Sequence, residues 1–211
     1  VLQANAYIKS GMAKRCLVIG SETLSRVVDE HDRDSMIYSD GAGATIIEAS
    51  DDNSGLLSYE SATYAIDEAN YLFFGKSYNT DLDPDTRYIK MLGRKIYEFA
   101  LSNVPKAMKS CLDKSGLQIE DVKKILIHQA NEKMDEAIVN RFYKLYDAKM
   151  PKDVMPMTIT NLGNSSVATV PTLFDMLING KIENQQIHKG DVIIFASFGA
   201  GMNINAFVYR Y

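Results

Sequence analysis

The sequence predicts an α/β fold, and three observations carry this prediction. Short apolar runs at 16–20, 125–127 and 192–195 have the length and composition of buried β-strands. The segments between them place apolar residues three and four positions apart, which is typical of amphipathic helices. The order helix, strand, strand over 1–62 is echoed over 89–211 by helix, strand, helix, helix, strand, strand.

The first elements follow from local patterns. A helical pattern over 1–10 ends at Gly11, because glycine tolerates the left-handed conformation that often follows a helix. The run 16–20 is apolar at every position, which predicts a central parallel strand covered on both faces. The strands 44–49 and 56–61 flank a turn and are expected to pair antiparallel.

A long polar and aromatic loop over 63–85 is expected to link a first half, 1–84, to a second half, 85–211. Val1 stands in mid-pattern, with neither an initiator Met nor an N-cap before the first helix. This start predicts that the sequence begins inside a helix and is a fragment.

The second half opens with a helical pattern over 89–112 that contains Pro105. A proline forfeits one backbone hydrogen bond, so this helix is expected to kink or split. The other expected elements are a helix over 132–146 with Met134, Ile138, Phe142 and Leu145 on its apolar face, a helix over 167–178, and a strand over 202–209 that returns antiparallel to 192–195.

His128 directly follows the apolar run 125–127, so it is expected at the carboxyl end of a strand, where open α/β sheets bind ligands. A lone histidine at such a place is more often a hydrogen-bonded structural residue. Two later glycine-rich turns, 161–169 and 196–201, also close a strand or open a helix. Three such turns are expected to converge on one pocket, which favours a functional role for His128.

Three short motifs, in order, carry a resemblance to a known family: His128-Gln129-Ala130-Asn131, Gly163-Asn164-Ser165-Ser166 and Phe198-Gly199-Ala200-Gly201. Together they resemble the C-terminal half of 3-oxoacyl-acyl-carrier-protein synthase III, and the resemblance covers nearly all 211 residues. It implies a thiolase-like, layered α/β/α/β/α fold, incomplete at the N-terminus. It also implies an acyltransferase that initiates fatty acid synthesis by decarboxylative Claisen condensation of an acyl-coenzyme A primer with malonyl-acyl-carrier protein. The implied partners are acyl carrier protein and a second copy of the chain, and no cofactor is implied.

The resemblance makes His128 and Asn164 two members of a Cys-His-Asn triad. Decarboxylation builds negative charge on a thioester oxygen, and a neutral imidazole and an amide are suited to donate hydrogen bonds to it. The backbone N–H of Ala200 is expected to serve a second oxyanion. Ala200 replaces a glycine of the family, so a positive φ here would cost about 1 kcal/mol.

The triad's cysteine is expected roughly two helical turns before Val1. Cys16 and Cys111 lie in apolar periodic segments, where thiols are inert. The fragment alone is therefore expected to be inactive. If no such cysteine precedes Val1, the alternative is a non-catalytic acyl- or carrier-binding protein that keeps the thiolase fold.

Charged positions match two of the family's binding surfaces. Arg33, preceded by Asp32, matches the mouth of the coenzyme A tunnel, where a guanidinium can grip phosphate or stack on adenine. Lys133 matches a basic position that meets the acidic carrier protein, where charge steers association. A solvated loop and a solvated lysine are the respective alternatives.

Four further positions are assigned to substrate by the same resemblance. Met91 and Gly93 match residues that line the pantetheine tunnel, although Met91 also fits a plain core stripe. Asn131 is expected to hydrogen-bond the pantetheine arm. Phe198 is assigned to the substrate side of its glycine turn.

Composition argues against several other classes. The net charge of −4 gives no overall basic footprint for nucleic acid. The sequence has no run of eighteen apolar residues and no charged-then-apolar leader, so neither a membrane span nor a signal peptide is expected. Two cysteines are too few for a disulfide framework and favour a reducing cytoplasm. The charged loop 29–34 is expected to be solvated rather than to hold a metal.

Particular residues argue against four other classes. The glycines of 40–44 lack the third glycine of a dinucleotide-binding loop and are expected to allow close backbone packing. A thiolase would place a cysteine before the last glycine turn, where Ser197 stands, and elongating synthases would have a second histidine in place of Asn164. Plant-type polyketide synthases differ around 128–131.

Overall fold

A computed structural model describes all residues from Val1 to Tyr211. Its helices are α1 (Leu2–Lys9), α2 (Gly93–Ser115), α3 (Glu132–Lys144), α4 (Ile159–Leu162) and α5 (Thr169–Ile178). Its strands are β1 (Arg15–Thr23), β2 (Asp40–Glu48), β3 (Gly55–Thr63), β4 (Leu72–Gly75), β5 (Tyr88–Met91), β6 (Val122–Ile127), β7 (Val192–Gly199) and β8 (Asn203–Arg210). Short 3-10 helices occupy Leu24–Arg26, Arg33–Ile37, Ala69–Tyr71, Ile119–Asp121, Ser166–Ala168 and Ala200–Met202. No helix has the length and apolar character needed to cross a bilayer.

A four-stranded sheet with the order β3-β8-β7-β6 forms the centre of the molecule. β6 pairs with β7 in parallel, and β8 returns antiparallel to β7, as predicted. Alternate side chains divide the core: Ile125 and Ile127 join the large cluster with α2 and α3, whereas Leu126 packs with α5. β6 and β7 are thus buried on both faces, which explains their continuous apolar runs.

β1 and β2 form a separate antiparallel ribbon, so the prediction of a central parallel strand at 16–20 is wrong. Only alternate side chains of β1 face the neighbouring helices. Leu17 and Ile19 point to the other side and are 62% and 63% exposed. An apolar run in the sequence does not predict which strand it pairs with. It also does not predict whether both faces of the strand are covered.

The ribbon packs against the segment that leads into α5, and glycine makes this close approach possible. A Cβ on Gly43 would lie 2.6 Å from the ring of Pro171, and one on Gly20 would lie 2.7 Å from the carbonyl oxygen of Val167. The prediction that the glycines of 40–44 serve close packing is confirmed. α1 packs on the same face, with the Cys16 Sγ 3.9 Å from the Ala4 carbonyl oxygen. The layers therefore follow the order α2 and α3, sheet, α5 and α1, ribbon, which agrees with the α/β/α/β part of a thiolase-like fold.

Three other sequence predictions are wrong. β2 pairs with β1, and β3 pairs with β8, so the strands at 44–49 and 56–61 are not partners. The segment 63–85 is not a structureless loop, since it contains β4, which pairs with β5 as a hairpin. Leu145 lies beyond α3 and is 42% exposed. The division into 1–84 and 85–211 stays a prediction, although β3 contributes to the central sheet of the second half.

α2 runs through Pro105 without being split. Proline cannot donate to the carbonyl four residues earlier, which leaves the Leu101 oxygen without its helical partner. The Arg141 guanidinium of α3 donates to that oxygen at 3.1 Å. A side chain of the neighbouring helix thus satisfies the carbonyl that the proline leaves free.

Candidate active site

His128 stands at the carboxyl end of β6, as predicted, and its backbone N–H donates to the Ala196 carbonyl at 2.8 Å. Its half-buried imidazole meets the edge of the Phe198 ring, with centroids 5.8 Å apart and planes at 84°. On the other side, Nδ1 lies 2.7 Å from the Thr169 Oγ1. Desolvation lowers the pKa of His128 to about 4, so the imidazole is neutral at pH 7.

Asn164 is buried at the turn between α4 and α5, and its amide has a fixed orientation. The Oδ1 accepts a hydrogen bond from the Ser166 backbone N–H at 2.9 Å. Because an N–H can meet only the oxygen of the amide, the Nδ2 must point away from this contact. The Asn164 backbone is held as well, since its N–H donates to the Ile37 carbonyl at 2.8 Å and its carbonyl accepts from the Ser39 N–H at 2.9 Å.

Both side chains contact the turn 164–169, since Thr169 contacts His128 while Ser166 holds Asn164. Gly163 has φ 67° and ψ −165°, a conformation that is essentially reserved for glycine. Ser166 has φ 52°, which is uncommon for a residue with a side chain. Backbone strain of this kind is typical of sites whose geometry is fixed by the surrounding structure.

The glycine turn after β7 is built without strain at Ala200. Positive φ values fall on Gly201 (73°) and Met202 (49°), and Ala200 is not among the residues with positive φ. The steric cost that a Cβ would bring at such a φ therefore does not arise at Ala200. Phe198 is buried and forms the contact between this turn and His128.

The segment 33–38 connects the residues assigned to the tunnel. Arg33 is exposed and begins the 3-10 helix Arg33–Ile37. The next residue, Asp34, places a carboxylate oxygen 3.8 Å from where a Cβ of Gly93 would be. Further along, the Tyr38 hydroxyl lies 3.7 Å from the Met91 sulfur, and the Tyr38 backbone bridges to Asn164. A continuous line of contacts thus runs from the segment of Arg33 to Asn164.

A buried ion cluster, which sequence reasoning missed, anchors this segment. The Lys90 Nζ donates to Asp29 at 2.6 Å and to Asp32 at 2.9 Å, and all three side chains are largely buried. Burial alone would raise the pKa of Asp29, but hydrogen bonds from Lys90, from two backbone N–H groups and from Ser77 hold it well below its usual range. The loop 29–34 is therefore tied down rather than fully solvated, and the structure has no group of three potential metal ligands. The signal in the sequence was a lysine in an otherwise apolar strand, β5.

Asn131 is the N-cap of α3, and its Oδ1 accepts from the Met134 N–H at 3.2 Å. Behind it, the buried Asp135 carboxylate accepts from the Asn131 N–H at 3.3 Å, and burial raises the pKa of Asp135 to about 8. The Asn131 side chain thus caps α3 through its Oδ1. Lys133 is exposed in the first turn of α3.

α2 and α3 run in the same direction. Arg141 contacts Leu101, and five residues later the Tyr146 hydroxyl donates to the Lys109 carbonyl at 3.3 Å. The first turns of both helices consequently lie at the end of the sheet that holds His128. Gly93 and Lys133 share that end.

Neither cysteine contacts the residues of the candidate site. Cys16 faces α1 on the ribbon. Cys111 is fully buried on α2, where burial raises the pKa of its thiol and its Sγ lies 3.5 Å from the Ser58 Oγ. α2 covers the face of the central sheet opposite α5, whereas His128 contacts the start of α5.

Comparison with known proteins matches the chain to two models of one family. The model described as 3-oxoacyl-[acyl-carrier-protein (ACP)] synthase III matches residues 1–65, and the one described as its C terminal matches residues 112–211. The beta-ketoacyl-[acyl-carrier-protein] synthase III of Prochlorococcus marinus is 31% identical over 217 residues, which is 99% of this chain and 61% of that protein.

Solved structures give the same result. The 3-oxoacyl-[acyl-carrier-protein] synthase III of Aquifex aeolicus is 30% identical, with a TM-score of 0.83 over 99% of this chain and 62% of that one. The synthase III of Thermus thermophilus is 26% identical, with a TM-score of 0.86 over 100% of this chain and 63% of that one. The chain spans about three fifths of the length of the curated relatives it matches. It has a thiolase-like fold and belongs to the 3-oxoacyl-acyl-carrier-protein synthase III family.

Proposed function

We propose that this chain supplies the enolate-stabilising part of a condensing enzyme. The reaction joins an acyl-coenzyme A primer to malonyl-acyl-carrier protein with loss of carbon dioxide and initiates fatty acid synthesis. The observation that carries this proposal is the pairing of a neutral imidazole with an oriented amide across the turn 164–169. The Ser166 N–H fixes Asn164 so that its Nδ2 is free to donate, and burial keeps His128 uncharged.

These groups fit the charge that the reaction creates. When the malonyl thioester loses carbon dioxide, the electron pair of the broken bond forms an enolate, and negative charge builds on the thioester oxygen. Asn164 Nδ2–H and His128 Nε2–H would each donate to that oxygen. An oxyanion donor of this kind is worth a factor of about 10² to 10³ in rate. The enolate carbon then attacks the acyl thioester, and the enzyme's thiolate leaves.

The acyl group needs a thiol that neither Cys16 nor Cys111 supplies, because both face away from the site. We propose that the nucleophile belongs to a part of the polypeptide that Val1–Tyr211 does not include. Acylation of that thiol would develop a second oxyanion, for which the Ala200 N–H is the proposed donor. No metal or other cofactor is required for these steps.

Recognition of the two substrates is proposed for separate surfaces. Arg33 would grip the nucleotide of coenzyme A, and the pantetheine arm would pass Met91 and Gly93 toward Phe198, with Asn131 as a polar contact. Lys133 would meet the acidic carrier protein at the first turn of α3, on the same end of the molecule. We also propose a cytoplasmic homodimer, in keeping with the family.

The test is to measure the two half-reactions separately, with the protein expressed from its complete gene. His128→Ala and Asn164→Ala should slow malonyl decarboxylation about 10²- to 10³-fold and slow acylation by the primer far less. The matched controls are His188→Ala and Asn140→Ala, both at exposed positions outside the site. Equal losses in both half-reactions would contradict the assignment.

A second test distinguishes an enzyme from a non-catalytic binding protein. The protein from the complete gene is incubated with acyl-coenzyme A, and mass spectrometry of the intact protein and of its peptides shows whether an acyl group is attached and to which thiol. An acyl adduct on a thiol other than Cys16 and Cys111 supports the enzyme. No adduct, together with retained binding of the coenzyme A thioester, supports the binding protein. A transferable adduct on Cys16 or Cys111 would contradict the placement of the nucleophile.

A further inference from the structure

The tautomer of His128 decides what the imidazole can offer to a substrate. A neutral histidine has one N–H, so Nε2 is a donor only if Nδ1 carries no proton. Nδ1 lies 2.7 Å from the Thr169 Oγ1, and Thr169 is 4% exposed. No other side chain makes a hydrogen bond with Nδ1. Whether the Thr169 hydroxyl donates to Nδ1 or accepts from it therefore depends on which imidazole nitrogen carries the proton.

The Thr169 hydroxyl has two acceptors within reach. One is the His128 Nδ1 at 2.7 Å, and the other is the Ser166 carbonyl oxygen at 3.0 Å. That carbonyl already accepts from the backbone N–H of Thr169 at the end of its 3-10 turn. It is therefore satisfied without the hydroxyl. In the other arrangement Nδ1–H would donate to Oγ1 and the hydroxyl would donate to the Ser166 oxygen, so the direction of these two bonds and the tautomer of His128 are linked. The shorter contact is also the one to nitrogen.

We propose that Thr169 is a positioning residue that donates its hydroxyl proton to His128 Nδ1 and so holds the imidazole as the Nε2–H tautomer. This inference rests on the proposed function, in which Nε2–H donates to the enolate oxygen. The alternative tautomer would place a lone pair toward that oxygen and repel it. Thr169 thus selects the form of His128 that stabilises the negative charge.

The surroundings keep the Thr169 hydroxyl in place. Thr169 is the first residue of α5, so its backbone is fixed by the helix that follows. The ribbon presses on the same turn, because a Cβ on Gly41 would lie 2.8 Å from the Ser165 Cβ. β6 fixes the imidazole from the other side. Donor and acceptor therefore belong to two rigid elements, and their distance does not depend on a loop.

The direct test is the ¹⁵N chemical shift of the imidazole nitrogens in histidine-labelled protein from the complete gene. Signals of His128 are assigned by their loss in His128→Gln. We expect a protonated Nε2 and an unprotonated Nδ1 in the wild type and in Thr169→Ser, which keeps the hydroxyl. Thr169→Val keeps the shape but removes the donor, and it should give a mixture of tautomers.

Activity supplies a second readout. Thr169→Val should lower kcat for malonyl decarboxylation roughly three- to tenfold with little change in KM, and Thr169→Ser should restore it. A protonated Nδ1 in the wild type, or unchanged tautomers in a folded Thr169→Val, would overturn the proposal. If Thr169→Val does not fold, the wild-type spectrum alone decides. The spectrum reports the tautomer without turnover. An active His128→Ala enzyme would therefore refute the proposed function, whereas the tautomer proposed for Thr169 would still be tested by the ¹⁵N spectrum.

Discussion

Replacing Lys90 with methionine should destabilise the protein more than any change at an exposed lysine. Lys90 is 3% exposed and bonds two carboxylates, at 2.6 Å to Asp29 and 2.9 Å to Asp32. Removing one partner of a buried ion group typically costs about 3–5 kcal/mol, because an uncompensated charge stays behind. Asp29 keeps donors from Ser77, Tyr78 and His31 at 2.9–3.0 Å, so we expect the lower end, about 3 kcal/mol.

The assay is equilibrium unfolding in urea, with Lys106→Met on the exposed side of α2 as the matched control. The control should change the free energy of unfolding by less than about 0.5 kcal/mol. Adding Asp32→Asn to Lys90→Met should recover part of the loss, since a neutral amide can stay buried without a cation and its oxygen can still accept from the Asp34 N–H. A loss below about 1 kcal/mol for Lys90→Met, or no recovery in the double variant, would refute the reasoning.

The pH dependence provides a further check on the same cluster. The folded state lowers the pKa of Asp29 below its unfolded value, so its contribution to stability is present above about pH 4 and is lost as the pH falls. The difference in the free energy of unfolding between wild type and Lys90→Met should therefore be large at neutral pH and become smaller as the pH falls. The pKa of Lys90 is raised, since its bonds to the two aspartates outweigh burial, and this contribution is lost only above the ordinary lysine range.

Three further predictions concern the proposed site. Asn164→Asp keeps an acceptor for the Ser166 N–H but loses the amide donor and buries a carboxylate, so it should fold with a reduced free energy of unfolding and lose at least as much decarboxylation rate as Asn164→Ala; decarboxylation within tenfold of wild type would contradict a donor role. Arg33→Ala should raise KM for the coenzyme A primer and leave KM for the malonyl-carrier substrate nearly unchanged, as measured by steady-state kinetics. Lys133→Glu should have the reverse effect, with a loss of salt dependence in carrier association. Equal changes for both substrates in either variant would count against separate surfaces.

The strand-to-helix junction at His128 was predictable because its signals are local. An apolar run ending in polar residues marks a strand end, and the spacing of Met134, Ile138 and Phe142 marks the buried face of the next helix. The fold class and the return of β8 follow from the same kind of pattern. These features depend on residues that are neighbours in sequence.

Features that depend on distant partners were not predictable. Lys90 pairs with Asp29 and Asp32 across 61 and 58 positions, so a lysine in an apolar strand indicates a buried charge but does not identify the carboxylates that pair with it. The pairing of β1 with β2 was missed for the same reason, since the sequence of an apolar strand does not indicate which strand it pairs with. The link between Thr169 and His128 spans 41 positions.

The turn 164–169 connects these local and distant features. His128, at the end of β6, contacts this turn, and Gly41 of the ribbon packs against it. The backbone groups of Ile37 and Ser39 form hydrogen bonds with the backbone of Asn164. A donor stabilises a developing charge best when it needs no reorganisation during the reaction, which requires that its supports be rigid. Three separate elements restrain this one turn, so the geometry of His128 and Asn164 is set by packing rather than by their own flexibility. Substitutions that loosen any one of these supports should therefore lower the rate of decarboxylation without removing a group that touches the substrate.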